Sequence, residues 1–166
     1  ECDDAIATMT KIHCEQGDDC TIISSDSDFY QLLNTFDNCA IYNPIRKKLI
    51  EKPDYDYVTW KALRGDPTDN IGGIPGCGDK TADKLVRSPG LLSEYFKKDP
   101  IRQQIFERNV NLIRLVDFSD NLSDMERHDG AADFEQLYDI LDDMDFQSMI
   151  KEKTWNKYVN TFKELL

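Results

Sequence analysis

Seven acidic residues fall in three groups whose spacing suits a hard divalent cation: Glu1, Asp3 and Asp4, then Asp26 and Asp28, then Asp66 and Asp69. Glu1 and Asp4 are three apart and share one face if the chain starts in a helix. Asp26 and Asp28 follow a β-rich run, Cys20 to Ser24. If strand geometry persists, they project to one side at the carboxyl edge of a sheet, where α/β folds bind ligands. Asp66 and Asp69 lie in a glycine-rich stretch that can return them to the same cleft. Carboxylate oxygens of this kind suit Mg²⁺ or Mn²⁺, and two such ions about 4 Å apart activate water for phosphodiester cleavage. Taken singly, each group also matches an ordinary helix cap, surface acid or turn aspartate.

A second motif is Gly73-Ile74-Pro75-Gly76-Cys77-Gly78, followed by Asp79, Lys80, Thr81 and Lys84. Between two helices it reads as a helix-hairpin-helix element over about residues 70–87. Gly73, Gly76 and Gly78 let backbone N–H groups approach a phosphate, and the next helix offers its positive end beside Lys80, Thr81 and Lys84. The competing reading is a glycine-rich turn that packs two helices together.

The formal net charge of −12 argues against a nucleic-acid partner. Segregation answers that objection, because seven acids are proposed ligands and basic residues gather at Arg46-Lys47-Lys48, Lys80, Lys84 and Arg87. Lys97 and Lys98 read as a solvated pair. His13 and His128 have unrelated surroundings, and Trp60 and Trp155 lie on apolar helix faces that favour core packing. Ser24, Ser25 and Ser27 lack a histidine at useful spacing for a hydrolase triad.

The elements that must position these residues follow from periodicity. Ala5, Ile6, Met9 and Ile12 predict an amphipathic helix stopped near Gly17; Cys20 to Ser24 predicts a buried parallel strand, Asp28 to Leu33 a short helix, and Ala40 to Tyr42 a strand turned at Asn43-Pro44. Lys48 to Ile50 reads as a returning hairpin arm or a neighbouring strand. From Asp54 the pattern becomes helical: Tyr57, Trp60 and Leu63 up to Gly65; Asp79 to Val86; helices opened by Ser88-Pro89 and Asp99-Pro100, the last with a stripe reaching Val116; then Phe134 to Leu141; and Trp155 to Leu165. The segment from Asp117 to Asp133 reads as an acidic loop. The division expected is an α/β portion over residues 1–53 and a helical domain over 54–166.

The five cysteines form no CxxC pair and read as reduced thiols of a cytoplasmic protein. No apolar run reaches the roughly 18 residues of a membrane span, and no signal peptide opens the chain. Opening on Glu1-Cys2-Asp3-Asp4, with no initiator Met, suggests a fragment whose amino-terminal part is supplied in cis or in trans.

Four motifs occur in the order and approximate spacing of one family: Glu1-Cys2-Asp3-Asp4, Ser24-Ser25-Asp26-Ser27-Asp28-Phe29, Leu63-Arg64-Gly65-Asp66-Pro67-Thr68-Asp69-Asn70 and Gly73-Ile74-Pro75-Gly76-Cys77-Gly78-Asp79-Lys80-Thr81-Ala82. The chain resembles the 5′→3′ exonucleases and flap endonucleases over residues 1 to about 90. Asn109 to Phe118 is more similar to the ribonuclease H of T-even phages, a member of the same family. The resemblance implies an α/β fold, a partial parallel-sheet (PIN-like) nuclease core followed by a mainly helical domain with a helix-hairpin-helix (helix-three-turn-helix) motif. It implies two Mg²⁺ or Mn²⁺ ions, with Glu1, Asp3, Asp4 and Asp26 nearer the scissile phosphate and Asp28, Asp66 and Asp69 at the second metal. Asp3, Asp26, Asp28 and Asp69 would be the residues closest to catalysis. It further implies K⁺ at the hairpin, and a monomer acting on duplex or flapped DNA and RNA–DNA hybrid in replication and repair. The alternative is a non-catalytic module that grips duplex DNA through the hairpin.

Overall fold

The structure is a computed structural model that describes residues 2–120 and 133–163. The chain divides into two compact units, residues 1–125 and 126–166. Glu1, His128, Leu165 and most of the acidic segment lie outside the described residues.

The first unit opens with helix α1 (Cys2–Glu15), and Gly17 at φ +91° turns the chain into strand β1 (Cys20–Ile23). Helix α2 (Tyr30–Thr35) crosses over to strand β2 (Cys39–Asn43), which pairs with β1 in parallel, Cys20 opposite Cys39 and Ile23 opposite Tyr42. A parallel pair needs such a crossover because a tight turn can only reverse the chain. Asn43 then accepts hydrogen bonds from the N–H groups of Ile45 and Arg46 at 3.0 and 2.9 Å, and this turn returns strand β3 (Lys48–Leu49) antiparallel to β2. Ala7, Cys14, Ile22, Phe29, Leu32, Leu33, Cys39 and Ile41 form the apolar cluster between sheet and helices. The buried parallel strand expected at Cys20 to Ser24 is parallel but only partly buried: Ile22 faces the core, whereas strand alternation turns Ile23 to the opposite face, 71% exposed.

Helix α3 (Tyr57–Arg64) starts where Asp56 accepts from the Thr59 N–H at 2.6 Å, and it ends at Gly65, whose φ of +86° lets its N–H cap Lys61. A short antiparallel hairpin follows, strands β4 (Gly65–Asp66) and β5 (Ile71–Gly72), which the periodicity did not predict. Two-residue strands leave no alternating pattern to read. Helices α4 (Asp79–Val86), α5 (Pro89–Lys97) and α6 (Pro100–Ile113) complete the described helices of this unit. Leu63, Ile74, Cys77, Ala82 and Leu85 pack between α3, the glycine-rich loop and α4, while Val58, Ala62 and Ile113 join α3 to α6.

The apolar stripe expected to run to Val116 breaks off at Ile113. Residues 114–118 leave the helix because side chains on α1 and α2 take their backbone. Gln31 Oε1 accepts from the Leu115 N–H at 3.1 Å, Asp4 from Val116 at 2.8 Å, and Thr8 from Phe118 at 3.0 Å. The Lys11 ammonium pairs with Asp117.

The second unit contains helices α7 (Phe134–Asp143), α8 (Gln147–Ile150) and α9 (Glu152–Lys163). Asp133 caps α7 through the Gln136 N–H at 2.9 Å. Tyr138, Trp155, Tyr158 and Phe162 form a chain of ring contacts with centroids 4.6–5.7 Å apart, so Trp155 packs within this unit as its position on an apolar face predicts. Among the described residues, no helix is long and apolar enough to cross a membrane.

Candidate metal centre

Asp28 stands in the segment after β1, and Asp66 and Asp69 stand on and just after β4. One carboxylate oxygen from each comes within 4.8 Å of the others. Local sequence explains the convergence. Ser24 Oγ accepts from the Asp26 N–H at 3.0 Å, and Asp26 Oδ1 accepts from the Asp28 N–H at 2.9 Å, which folds the segment back at the sheet edge. Asp66 Oδ1 accepts from the backbone N–H of Thr68 at 2.9 Å and from its hydroxyl, and this turn carries Asp69 toward Asp66.

The Lys61 side chain, 4% exposed, reaches this cluster from α3 and pairs with both Asp28 and Asp66. Burial disfavours its charge, but the two carboxylates outweigh burial and raise its pKa above the usual lysine value. Burial alone would raise the Asp66 pKa. Lys61 and Thr68 reverse that and hold the carboxyl far below the ordinary range. Asp69 is solvent-exposed, yet desolvation at the cluster and the charges of Asp66 and Asp28 push its pKa up. The Asp66 Oδ2 atom is buried and faces Lys61 as an ion pair, off the direction of a hydrogen bond. Three hard oxygens from two separate segments, one of them buried, are a donor set that Mg²⁺ or Mn²⁺ accepts. The net charge of three carboxylates and one ammonium remains negative.

The other expected ligands are Glu1, Asp3, Asp4 and Asp26. Glu1 lies outside the described residues. Asp3 and Asp4 form part of the first turn of α1, and Asp4 is engaged by the Val116 N–H. Among the described residues, Asp3, Asp4 and Asp26 do not close into a three-carboxylate group.

The glycines of the second motif have different tasks. A Cβ on Gly73 would overlap the Arg64 carbonyl, and one on Gly65 would overlap Gly73. These two residues therefore serve close packing of the hairpin on the end of α3. Gly76, at φ +79°, and Gly78 face open space. Gly78 is the N-cap of α4 and leaves the helix start without a side-chain cap. Lys80 and Lys84 are exposed on that helix, and Thr81 closes its first turn through the Gly78 carbonyl. Arg87 is instead tied to Asp54 by two hydrogen bonds of 2.6 and 2.7 Å. Trp60 is half-buried against the α3–α4 cluster and donates from its indole to Asp83 at 2.6 Å.

The residue-type search missed Lys61 and Asn109. Both occupy positions where helix periodicity calls for an apolar side chain, between Val58 and Ala62 for Lys61 and before Val110 for Asn109. A charged or amide group in such a slot is the available signal. Asn109 is fully buried and donates to the carbonyls of Ala62 and Gly72, both at 2.9 Å, joining α6 to α3 and to the hairpin that bears Asp66.

No protein-family profile matches the chain. It is 35% identical over 118 residues to a thermostable DNA polymerase I of Thermus thermophilus, covering 65% of this chain and 14% of the polymerase. It is 33% identical over 141 residues to DNA polymerase I of Deinococcus radiodurans, covering 75% of this chain and 14% of that protein. A 5′-3′ exonuclease of Aquifex aeolicus is 28% identical over 175 residues, covering 92% of this chain and 58% of the exonuclease. The chain thus spans a small fraction of the polymerases and little over half of the exonuclease.

Proposed function

Because the chain belongs to the 5′→3′ exonuclease family, we propose that it carries a divalent-metal centre of a 5′ nuclease acting on duplex or flapped DNA and RNA–DNA hybrid. The observation that carries this reading is the convergence of Asp28 with Asp66 and Asp69, from two places in the sequence, onto one point. A cation held there supplies Lewis acidity to a phosphodiester and to the attacking water. The chain's own residues organise that point. Lys61 aligns Asp28 and Asp66, Thr68 fixes the Asp66 carboxylate, and Asp26 shapes the segment that presents Asp28. Glu1, Asp3, Asp4 and Asp26 are proposed to form a second ion site nearer the scissile phosphate.

Duplex binding is assigned to the loop from Gly73 to Gly78 and the start of α4, read as a helix-hairpin-helix. The first-turn N–H groups of α4 lack a side-chain cap, and Lys80 and Lys84 add exposed positive charge. Such contacts reach phosphates and carry no base preference. In this division of labour, residues 1–53 and the hairpin of Asp66 provide chemistry, and the helices after residue 54 provide grip.

Manganese binding tests the centre directly. The chain is expected to bind Mn²⁺, followed by electron paramagnetic resonance. Asp66→Asn and Asp69→Asn should each weaken binding about tenfold or more while leaving salt-sensitive duplex binding intact. Equal Mn²⁺ affinity in all three proteins would remove the assignment. One observation favours a second reading, a non-catalytic duplex-binding module: the buried Lys61 ammonium pairs with two of the three carboxylates and so occupies oxygens a metal would need. Duplex binding with no Mn²⁺ affinity would select it.

A further inference from the structure

Three of the five cysteines meet at one end of the α1–β1 pair, away from the carboxylates. Cys14 lies in the last turn of α1, Cys20 opens β1, and Cys39 opens β2 directly across from Cys20. Asn38 holds the first two together. Its carbonyl accepts from the Cys20 N–H at 2.9 Å and from the Cys14 thiol at 3.9 Å, and its side-chain amide donates to the Cys14 carbonyl at 3.0 Å. With both residues on one carbonyl, and the Cys20 thiol directed at the Thr10 carbonyl one turn before Cys14 in α1, the two side chains are neighbours. Cys14 and Cys39 are buried, whereas Cys20 is partly exposed and directs its thiol to the Thr10 carbonyl at 3.9 Å.

We propose that Cys14 and Cys20 are a thiol modification site that closes reversibly into an intramolecular disulfide when the protein meets a small-molecule disulfide. Exposure sets the order of events. The Cys20 thiolate attacks the small disulfide, forming a mixed disulfide on Cys20 and releasing one small thiolate. The Cys14 thiolate then attacks Cys20 Sγ and displaces the second small thiolate. The two protein thiols lose two protons and two electrons, and the reagent leaves as two thiols. Burial and the neighbouring Cys20 push the Cys14 thiol up to about 12, so the second step is the slow one. The product ties the end of α1 to the first residue of the sheet.

The test treats the full chain with oxidised glutathione and maps free and linked thiols by mass spectrometry after alkylation, with exposed Cys2 as the internal control for reagent access. The expected sequence is a glutathione adduct on Cys20, then a peptide linking Cys14 to Cys20, and a rise in Tm of about 5 °C. Cys20→Ser abolishes the link, Cys39→Ala retains it, and Cys14→Ala leaves the Cys20 adduct unresolved. A Cys20–Cys39 link, a permanent adduct on Cys20 in the unsubstituted chain, or reaction at Cys2 alone would overturn the proposal. Circular dichroism checks that each variant folds. If Cys14→Ala does not, the Cys20→Ser and Cys39→Ala arms still decide.

Discussion

Replacing Lys61 by Met keeps the four-atom stem of the side chain and removes its ammonium from the carboxylate cluster. Lys61 and Asp66 are each 3% exposed, so the change strands Asp66 in a site that water barely reaches. Asp28 and Asp69 are left beside it, one oxygen of each within 4.8 Å. At an effective dielectric constant near 20, two carboxylates at that separation repel by about 3 kcal/mol. Proton uptake by Asp69 relieves part of this, and breaking a buried pair by removing one partner costs about 3–5 kcal/mol. In a unit of this size that lowers Tm by about 10 °C. A divalent cation replaces the lost charge, so Mn²⁺ at about a hundred times its dissociation constant should restore about 2.7 kcal/mol to the variant. The unsubstituted chain should gain less, because there the ion competes with Lys61. Thermal melts with a chelator and with Mn²⁺, followed through Trp60 in a Trp155→Phe background, separate the first unit from the second. Equal melting of both proteins with chelator, or an equal rise with Mn²⁺, would refute the reasoning.

Asn109→Leu removes the two hydrogen bonds to the Ala62 and Gly72 carbonyls and leaves Gly72 the weaker Arg108 contact at 3.4 Å. A loss of about 2–4 kcal/mol is expected in urea unfolding, together with weakened Mn²⁺ binding, because the hairpin bearing Asp66 loses its brace. Gly73→Ala forces a methyl into the Arg64 carbonyl, whereas Gly78→Ala meets open space. The first should therefore fail to fold stably by circular dichroism, and the second should fold normally but bind duplex DNA less tightly in a fluorescence titration. Hydrogen bonds from Lys11 and Ser119 hold the Asp117 carboxyl at about 2, below its ordinary value near 3.9. Its stabilisation is therefore complete above about pH 4 and is lost as pH falls toward 2. The Tm advantage over Asp117→Asn should be constant near neutrality and shrink from pH 4 downward.

Local chemistry was legible where one signal governed one element. Gly17 and Gly65 stop α1 and α3 with positive φ, Asn43 turns β2 into β3, and Pro89 and Pro100 open α5 and α6. The order of the acidic and glycine-rich motifs pointed to the family before any geometry. Long-range competition was not legible. The apolar stripe of α6 continues in sequence to Val116, but the chain leaves the helix because Gln31, Asp4 and Thr8, more than a hundred positions away for Asp4 and Thr8, take its backbone N–H groups. Lys61 escaped notice for the same reason, since its partners lie 33 residues upstream and five residues downstream. Gly73 shows how one pattern serves two needs: its missing side chain is required by packing on α3, and only Gly76 and Gly78 of the same motif are open to a ligand.

The most direct test of the central claim is cleavage of a 5′-labelled flap duplex in Mg²⁺ or Mn²⁺. It should be run with the chain alone and in an extended polypeptide that contains it, each with and without Asp66→Asn and Asp69→Asn. The account predicts metal-dependent release from the 5′ end by the extended protein, abolished by either substitution while duplex binding persists. Undiminished cleavage by both variants, or none by any form that binds the duplex, would contradict it.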